Sequence, residues 1–95
     1  MSSPPLVTLH VLGPLRAYCG GASRLSIPAR SVRAALEHLE RHHPALYRNI
    51  CDERGAVRRH LNVFVNVHHV RDLEGIDTTL AAGDVVTILP AVSGG

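Results

Sequence analysis

The sequence contains no lysine, no tryptophan and few aromatic residues. All ten basic side chains are arginines and the net charge is only +2. Without lysine, the chain has no ε-amine for a Schiff base or for an isopeptide bond, so a reactive acyl group on it would serve as a donor. Aromatic residues make up 3% of the chain, which leaves few platforms for stacking nucleic-acid bases. We therefore interpret Arg54, Arg58, Arg59 and His60 as a solvated loop or a protein-docking patch, with no nucleic-acid partner expected.

Long apolar runs and closely spaced cysteines are also absent. No run approaches the ~18 residues of a membrane-spanning helix, and the start MSSPPL lacks the features of a signal peptide. These absences predict a cytoplasmic protein with no membrane partner. Cys19 and Cys51 are predicted to be free thiols, because a reducing compartment disfavours disulfides. Neither has a metal-binding spacing, and the adjacent histidine pairs at 42–43 and 68–69 do not complete a zinc set, so no metal site is expected.

Apolar periodicity predicts four strands and one main helix. The strands are expected at 7–12, 23–27, 61–67 and 84–90, with a loop at 13–22, a short helical turn at 44–50 and mixed turns at 68–83. Ser31 is a predicted helix N-cap. The helix that follows carries a buried stripe of Val32, Ala35, Leu36 and Leu39. One helix stripe needs one sheet face, which predicts an α+β domain with a mixed sheet on a helix and its first and last strands adjacent in the middle.

The strand alternation also predicts the two faces of the sheet. The residues expected to face the helix are Val7, Leu9, Val11, Val63, Val65, Val86 and Ile88, and Val67 is expected on the same side of its strand as Val63 and Val65. Those expected on the outer face are Thr8, His10, Phe64, Asn66, Val85, Thr87 and Leu89. Phe64, Val85 and Leu89 would form an exposed apolar centre, and a contiguous apolar patch with a polar rim marks a partner site. We therefore predict partner docking at Phe64, Val85, Leu89 and Pro90.

The sequence ends with Gly94-Gly95 and contains no nucleophile elbow, P-loop lysine or other catalytic motif. Two explanations of this ending compete. The glycines belong to a frayed terminus, or the C-terminal carboxylate is the reactive group and glycine lets it enter a narrow site. Pro90 would stop strand pairing and release the last five residues. We predict a domain over residues 1–90 and a flexible tail over 91–95.

The ending GDVVTILPAVSGG resembles the tail of the ThiS and MoaD sulfur-carrier family, which has the β-grasp, ubiquitin-like fold. The matching positions are Gly83, Asp84, Val86, Ile88, Pro90, Gly94 and Gly95, and NVFVNVHHVR is similar to the family's central strand and turn. Within the family, the branch that serves cysteine synthesis is the most similar in appearance. The resemblance implies a β-grasp domain with a four- to five-stranded sheet on one main helix.

The resemblance also implies how such a tail works. An E1-like enzyme would use MgATP to adenylate the Gly95 carboxylate, and a sulfur nucleophile would then convert it into a thiocarboxylate. A second partner, a cysteine synthase-like or other biosynthetic enzyme, would take the sulfur. The tail residues Val92, Ser93 and Gly94 would enter both active sites, and this chain would be a co-substrate with no permanently bound cofactor, not an enzyme. Two alternatives stay open: a ubiquitin-like modifier conjugated through Gly95, and a small RNA-binding or regulatory module.

Overall fold

The computed structural model describes residues 3–90, which form a five-stranded mixed sheet and two α-helices. The strands are β1 (Leu6–Val11), β2 (Arg24–Pro28), β3 (Leu61–Val65), β4 (His68–His69) and β5 (Val85–Pro90). The helices are α1 (Val32–His42) and α2 (Pro44–Ile50), and 3₁₀ helices cover Gly13–Cys19, Val70–Asp72 and Gly75–Asp77. The predicted α+β class and main helix are confirmed, and α2 occupies the stretch predicted as a short helical turn.

The strand order β2-β1-β5-β3-β4 places the first and last strands next to each other in the centre. β1 and β5 are parallel, with Leu9 opposite Val86. The β1–β2, β3–β5 and β3–β4 pairs are antiparallel. The predicted central pairing is therefore correct. It also places β5, which leads to the predicted tail, in the interior of the sheet with a partner strand on each side.

Alternating valine, leucine and isoleucine side chains decide which face of the sheet is covered. Val7, Leu9, Val11, Val63, Val65, Val86 and Ile88 are all buried, as the alternation predicted. They pack with the α1 stripe of Val32, Ala35, Leu36 and Leu39, which is also buried. Full burial of such a side chain stabilises the fold by about 1.5–3 kcal/mol. The helices thus cover one face of the sheet, and the other face is left for Thr8, Phe64, Leu89 and their neighbours.

Ser31 caps α1 as predicted. It has an extended backbone, and its hydroxyl oxygen accepts a hydrogen bond from the Ala34 N–H at 3.1 Å. On the exposed side of the helix, Arg33 forms an ion pair with Asp77 at 2.8 Å, an exposed contact of small stabilising effect. None of the helices within residues 3–90 is long and apolar enough to cross a membrane. Cys19 and Cys51 are both free thiols, which confirms that prediction.

Three sequence predictions differ from the structure. β3 ends at Val65, not at residue 67, because Asn66 has a φ of 55° and turns the chain. Val67, predicted on the same side of its strand as Val63 and Val65, is 83% exposed as a result. The predicted loop at 13–22 contains a seven-residue 3₁₀ helix, which has a proline in its first turn and buries Leu15. The stretch His68–His69, predicted as part of a turn, forms the short edge strand β4.

Candidate functional site

Strand β5 leads the chain to the start of the predicted tail. Its last residue, Pro90, is exposed and lies opposite Leu61, the first residue of β3. Proline has no N–H to donate to a sheet, which makes it a suitable residue at the end of a strand. The predicted adenylation site and tail lie outside the described residues: Val92, Ser93, Gly94 and Gly95. Their roles, and the domain boundary after Pro90, stay predictions.

The docking patch, which we define as Phe64, Val85, Leu89 and Pro90, lies on the sheet face opposite the helices. Phe64 is directly opposite Thr87 of β5. Val85 and Leu89 are two residues to either side of Thr87, so they are the diagonal neighbours of Phe64 on the same face. Phe64, Val85 and Leu89 are half-buried, not fully exposed as expected, because each has side-chain neighbours on the adjacent strands of the same face. Only Leu89 and Pro90 lie near the tail, since Val85 begins the strand.

A histidine side chain holds Phe64 in place. The His69 ring meets the edge of the Phe64 ring with centroids 5.1 Å apart. His69 Nδ1 accepts a hydrogen bond from the Arg71 N–H at 3.0 Å, so Nε2 carries the hydrogen and donates it to Asn62 Oδ1 at 3.0 Å. Sequence patterns did not assign His69 to this face, because its position depends on the Asn66 turn and the short strand β4.

The outer face of the sheet carries basic and polar side chains around the patch, but no acidic one on the described strands. His10 lies opposite Thr87 on one side and Arg24 on the other. Two residues earlier on β1, Thr8 lies between Ser26 of β2 and Val85 of β5. The face therefore combines a small apolar centre with a weakly cationic surround, which suits contact with a neutral or acidic protein surface.

A hydrogen-bonded clip closes the opposite end of β5. The Asn66 N–H donates to the Val85 carbonyl at 2.7 Å, and the Val85 N–H donates to Asn66 Oδ1 at 3.0 Å. Asn66 Nδ2 also donates to Asp84 Oδ1 at 3.1 Å, while Asp84 Oδ2 accepts from the Ala81 N–H at 2.9 Å. Asn66 and Asp84, which matched the family motif in sequence, therefore hold two turns together at the opposite end of β5 from Pro90.

The loop between α2 and β3 is also well ordered by hydrogen bonds. Asp52 Oδ1 accepts from the N–H groups of Arg54 and Ala56 at 2.9 and 3.0 Å. These two backbone donors, led by Ala56, lower the pKa of Asp52 below its ordinary value. Burial raises the pKa of the neighbouring Cys51 thiol to about 11, so this cysteine is a poor nucleophile at neutral pH. In residues 3–90, no three His, Cys, Asp or Glu side chains are placed to hold a metal ion.

Comparison with known proteins shows the same fold in named relatives. The sequence model of the ThiS family matches residues 9–95. The sulfur carrier protein CysO of Mycobacterium tuberculosis is 35% identical over 91 residues, which cover 94% of this chain and 98% of that protein. A crystal structure of the Amycolatopsis orientalis BexX/CysO complex contains a chain that matches with a TM-score of 0.83, at 31% identity over 94% of this chain and 99% of that one.

A second kind of relative has the same fold. The solution structure of small archaeal modifier protein 1 from Methanosarcina acetivorans matches with a TM-score of 0.83, at 30% identity and full coverage of both chains. The expected β-grasp fold is thereby confirmed. Its relatives include proteins named as sulfur carriers and proteins named as modifiers, so the fold by itself does not choose between the two roles.

Proposed function

Because this chain belongs to the ThiS family, we propose that it is a sulfur carrier whose Gly95 carboxylate becomes a thiocarboxylate. The observation that carries the proposal is the family match through residue 95, which includes Gly94 and Gly95. The similarity to CysO over nearly the whole of both chains supports the carrier role. The same similarity favours cysteine synthesis as the process that receives the sulfur.

The proposed chemistry has two steps, both catalysed by partners. A carboxylate oxygen of Gly95 attacks the α-phosphorus of ATP on an E1-like enzyme, which releases pyrophosphate and leaves an acyl-adenylate. A sulfide sulfur then attacks the acyl carbon and expels AMP, which leaves the thiocarboxylate. A persulfide donor instead gives an acyl disulfide, and a thiol then attacks the donor's own sulfur, so that the S–S bond breaks, the thiocarboxylate is released and the thiol and the donor form a disulfide. MgATP is a substrate of the partner and no cofactor stays on this chain. The carrier contributes the acyl group, and the glycines contribute side-chain-free access to narrow sites.

We place the contact with the adenylating enzyme on the docking patch. Leu89 and Pro90 lead directly into the proposed reactive tail, and Phe64 extends the apolar surface away from it. The ring of Phe64 packs against His69, and this contact reduces the side-chain entropy that binding would cost. A partner that covers this face would bury apolar surface and orient the tail in one interaction.

The decisive experiment compares the full chain with a variant lacking Gly95. With the adenylating enzyme and MgATP, the full chain should support pyrophosphate exchange, and with sulfide its mass should show one oxygen-to-sulfur exchange. The shortened chain should melt at the same temperature but support no exchange, because its new terminus does not place a carboxylate at the reaction centre. Normal exchange by the shortened chain would contradict the proposal.

A second candidate function is protein modification. The full-length structural match to a small archaeal modifier protein favours it. In this case Gly95 would be joined to lysines of other proteins, never to this chain, which has none. Mass spectrometry of the protein from cells separates the two roles, because the carrier gives an oxygen-to-sulfur exchange and the modifier gives adducts with target proteins.

A further inference from the structure

A groove of about 360 Å³ runs beside the start of β3. β4 pairs only with Phe64 and Val65, so within the described chain no strand continues beside residues 61–63 on that side. Segments from the α2–β3 loop and from residues 70–76 border the space instead. The apolar lining consists of Ala56, Val57, Leu61, Val63, Val70 and Ile76.

The charged side chains that line this groove are all arginines: Arg58, Arg59 and Arg71. Arg58 is held in place, because its Nε and Nη2 donate to the Arg48 carbonyl at 3.1 and 2.9 Å. Arg59 and Arg71 are exposed. The ion pair found among residues 3–90, between Arg33 and Asp77, uses none of the three. An apolar floor with a cationic rim is complementary to an apolar side chain flanked by carboxylates.

The walls of the groove are held by backbone hydrogen bonds. Asp52 and Val57 flank a tight loop in which the Asp52 N–H donates to the Ala56 carbonyl at 2.8 Å. Farther along, the Arg58 N–H donates to the Ile50 carbonyl at 2.9 Å and the Leu61 N–H to the Arg58 carbonyl at 3.0 Å. Because these bonds fix the loop before any partner arrives, little ordering entropy is lost on binding.

The groove also adjoins the end of β5, the strand that leads into the proposed reactive tail. Leu61, part of its lining, is the residue opposite Pro90. An enzyme that holds the residues after Pro90 therefore has its surface next to the groove. Leu89 and Pro90 of the docking patch lie at the same end of the β3–β5 pair as Leu61, so the groove and the patch both adjoin the last described residue.

We propose that this groove, with its apolar floor and its rim of Arg59 and Arg71, binds an acidic segment carrying an apolar side chain on the enzyme that adenylates the tail. The inference rests on the proposed carrier function. The proposal assigns a specific partner segment to the groove and predicts that binding of the carrier to the enzyme depends on ionic strength.

The test measures KM and kcat for pyrophosphate exchange with the full chain and its adenylating enzyme. Arg59→Glu and Arg71→Glu should each raise KM by about fivefold to tenfold at low salt, since each reverses a charge that faces acidic groups. Added salt should reduce the difference in KM between these variants and wild type, because salt screens the interaction of the charges. Arg41→Glu, the same charge change on the exposed side of α1, is the matched control and should leave KM nearly unchanged. kcat should not change in any of the three variants.

A second measurement locates the contact. Unlabelled enzyme added to the ¹⁵N-labelled carrier should broaden the amide signals of Val57, Arg59 and Ile76. Equal KM for all variants, or groove signals unaffected in a working complex, would overturn the groove proposal alone. A wild-type chain that is never adenylated would overturn the carrier function as well. In the free protein, Overhauser contacts from the groove to residues 91–95, or to a second copy, would assign the groove a different occupant and overturn the proposal.

Discussion

Replacement of Asn66 by alanine should destabilise the domain by about 2–3 kcal/mol. The variant loses two side-chain hydrogen bonds, to the Val85 N–H and to Asp84 Oδ1, each contributing about 0.5–1 kcal/mol at an exposed site. It also leaves a residue with a Cβ at a φ of 55°, and alanine tolerates this left-handed region less well than asparagine by about 1 kcal/mol. For a domain of this size the melting temperature should fall by about 10–20 °C.

Two further substitutions at this position separate the contributions. Asn66→Gly also loses the side-chain bonds but accepts the positive φ, so it should recover about 1 kcal/mol relative to alanine. Asn66→Asp keeps an acceptor for the Val85 N–H but sets a carboxylate against Asp84, so it should melt lower than wild type and recover partly in salt. The measurements are thermal and urea unfolding followed by circular dichroism. An alanine variant as stable as wild type would show that the Asn66 hydrogen bonds do not stabilise the domain.

The remaining predictions concern partner binding, thiol reactivity and acid stability. Phe64→Asp should raise the KM for adenylation at least tenfold and keep a native circular dichroism spectrum. Phe64→Leu should resemble wild type in both measurements. A Phe64→Asp chain that fails to fold would contradict the position of Phe64 on the outer face. Iodoacetamide at pH 8 should modify Cys19 and spare Cys51 until urea unfolds the domain, because burial raises the pKa of Cys51 to about 11. The backbone N–H groups of Ala56 and Arg54 lower the pKa of Asp52 from 3.8, so its stabilisation is present above pH 3.8 and is lost as the pH falls through the lowered pKa. The melting temperature of Asp52→Asn should therefore fall less than that of wild type when the pH drops below 3.8. The same dependence of melting temperature on acid pH in both proteins would count against a stabilising role for the Asp52 carboxylate.

The parts of the fold that depend on side-chain alternation were predictable, whereas those that depend on one backbone angle were not. Val63, Val65, Val86 and Ile88 are buried as predicted because a strand sends successive side chains to opposite faces. The alternation of LNVFVNV continues past Val65, and it gives no sign that Asn66 turns the chain. An asparagine in a two-residue turn is a known hairpin signal, but the strong valine pattern outweighed it.

The candidate site was predictable to different degrees for similar reasons. Alternation within each strand placed Phe64 and Leu89 on the correct face of the sheet, whereas the register of β3 against β5 was not predicted. The groove was not predicted, because three separate segments form it, residues 56–63, 69–71 and 75–76, and their contact depends on the turns between them. Alternation within one strand contains no information on which loops meet at its edge. For Arg54, Arg58, Arg59 and His60 the sequence therefore predicts only a solvated loop or a protein-docking patch, without the apolar floor that lies beside them.

The motif that indicated the family contains residues with three different physical tasks. Gly83 has a φ of 87° and precedes the Asp84 contact with Asn66, so this end of the motif forms the turn. Val86 and Ile88 in the middle are core residues. Pro90 lies five residues beyond Val85, about 17 Å along the strand.

A substitution in the clip should therefore reduce activity only as far as it unfolds the domain, while a change after Pro90 should abolish activity in a folded chain. At temperatures well below melting, the Asn66→Ala variant should accordingly keep the wild-type kcat and KM for adenylation. A lower kcat/KM in that folded variant would mean that the clip holds Val85, the member of the docking patch next to it, in the position that the partner needs.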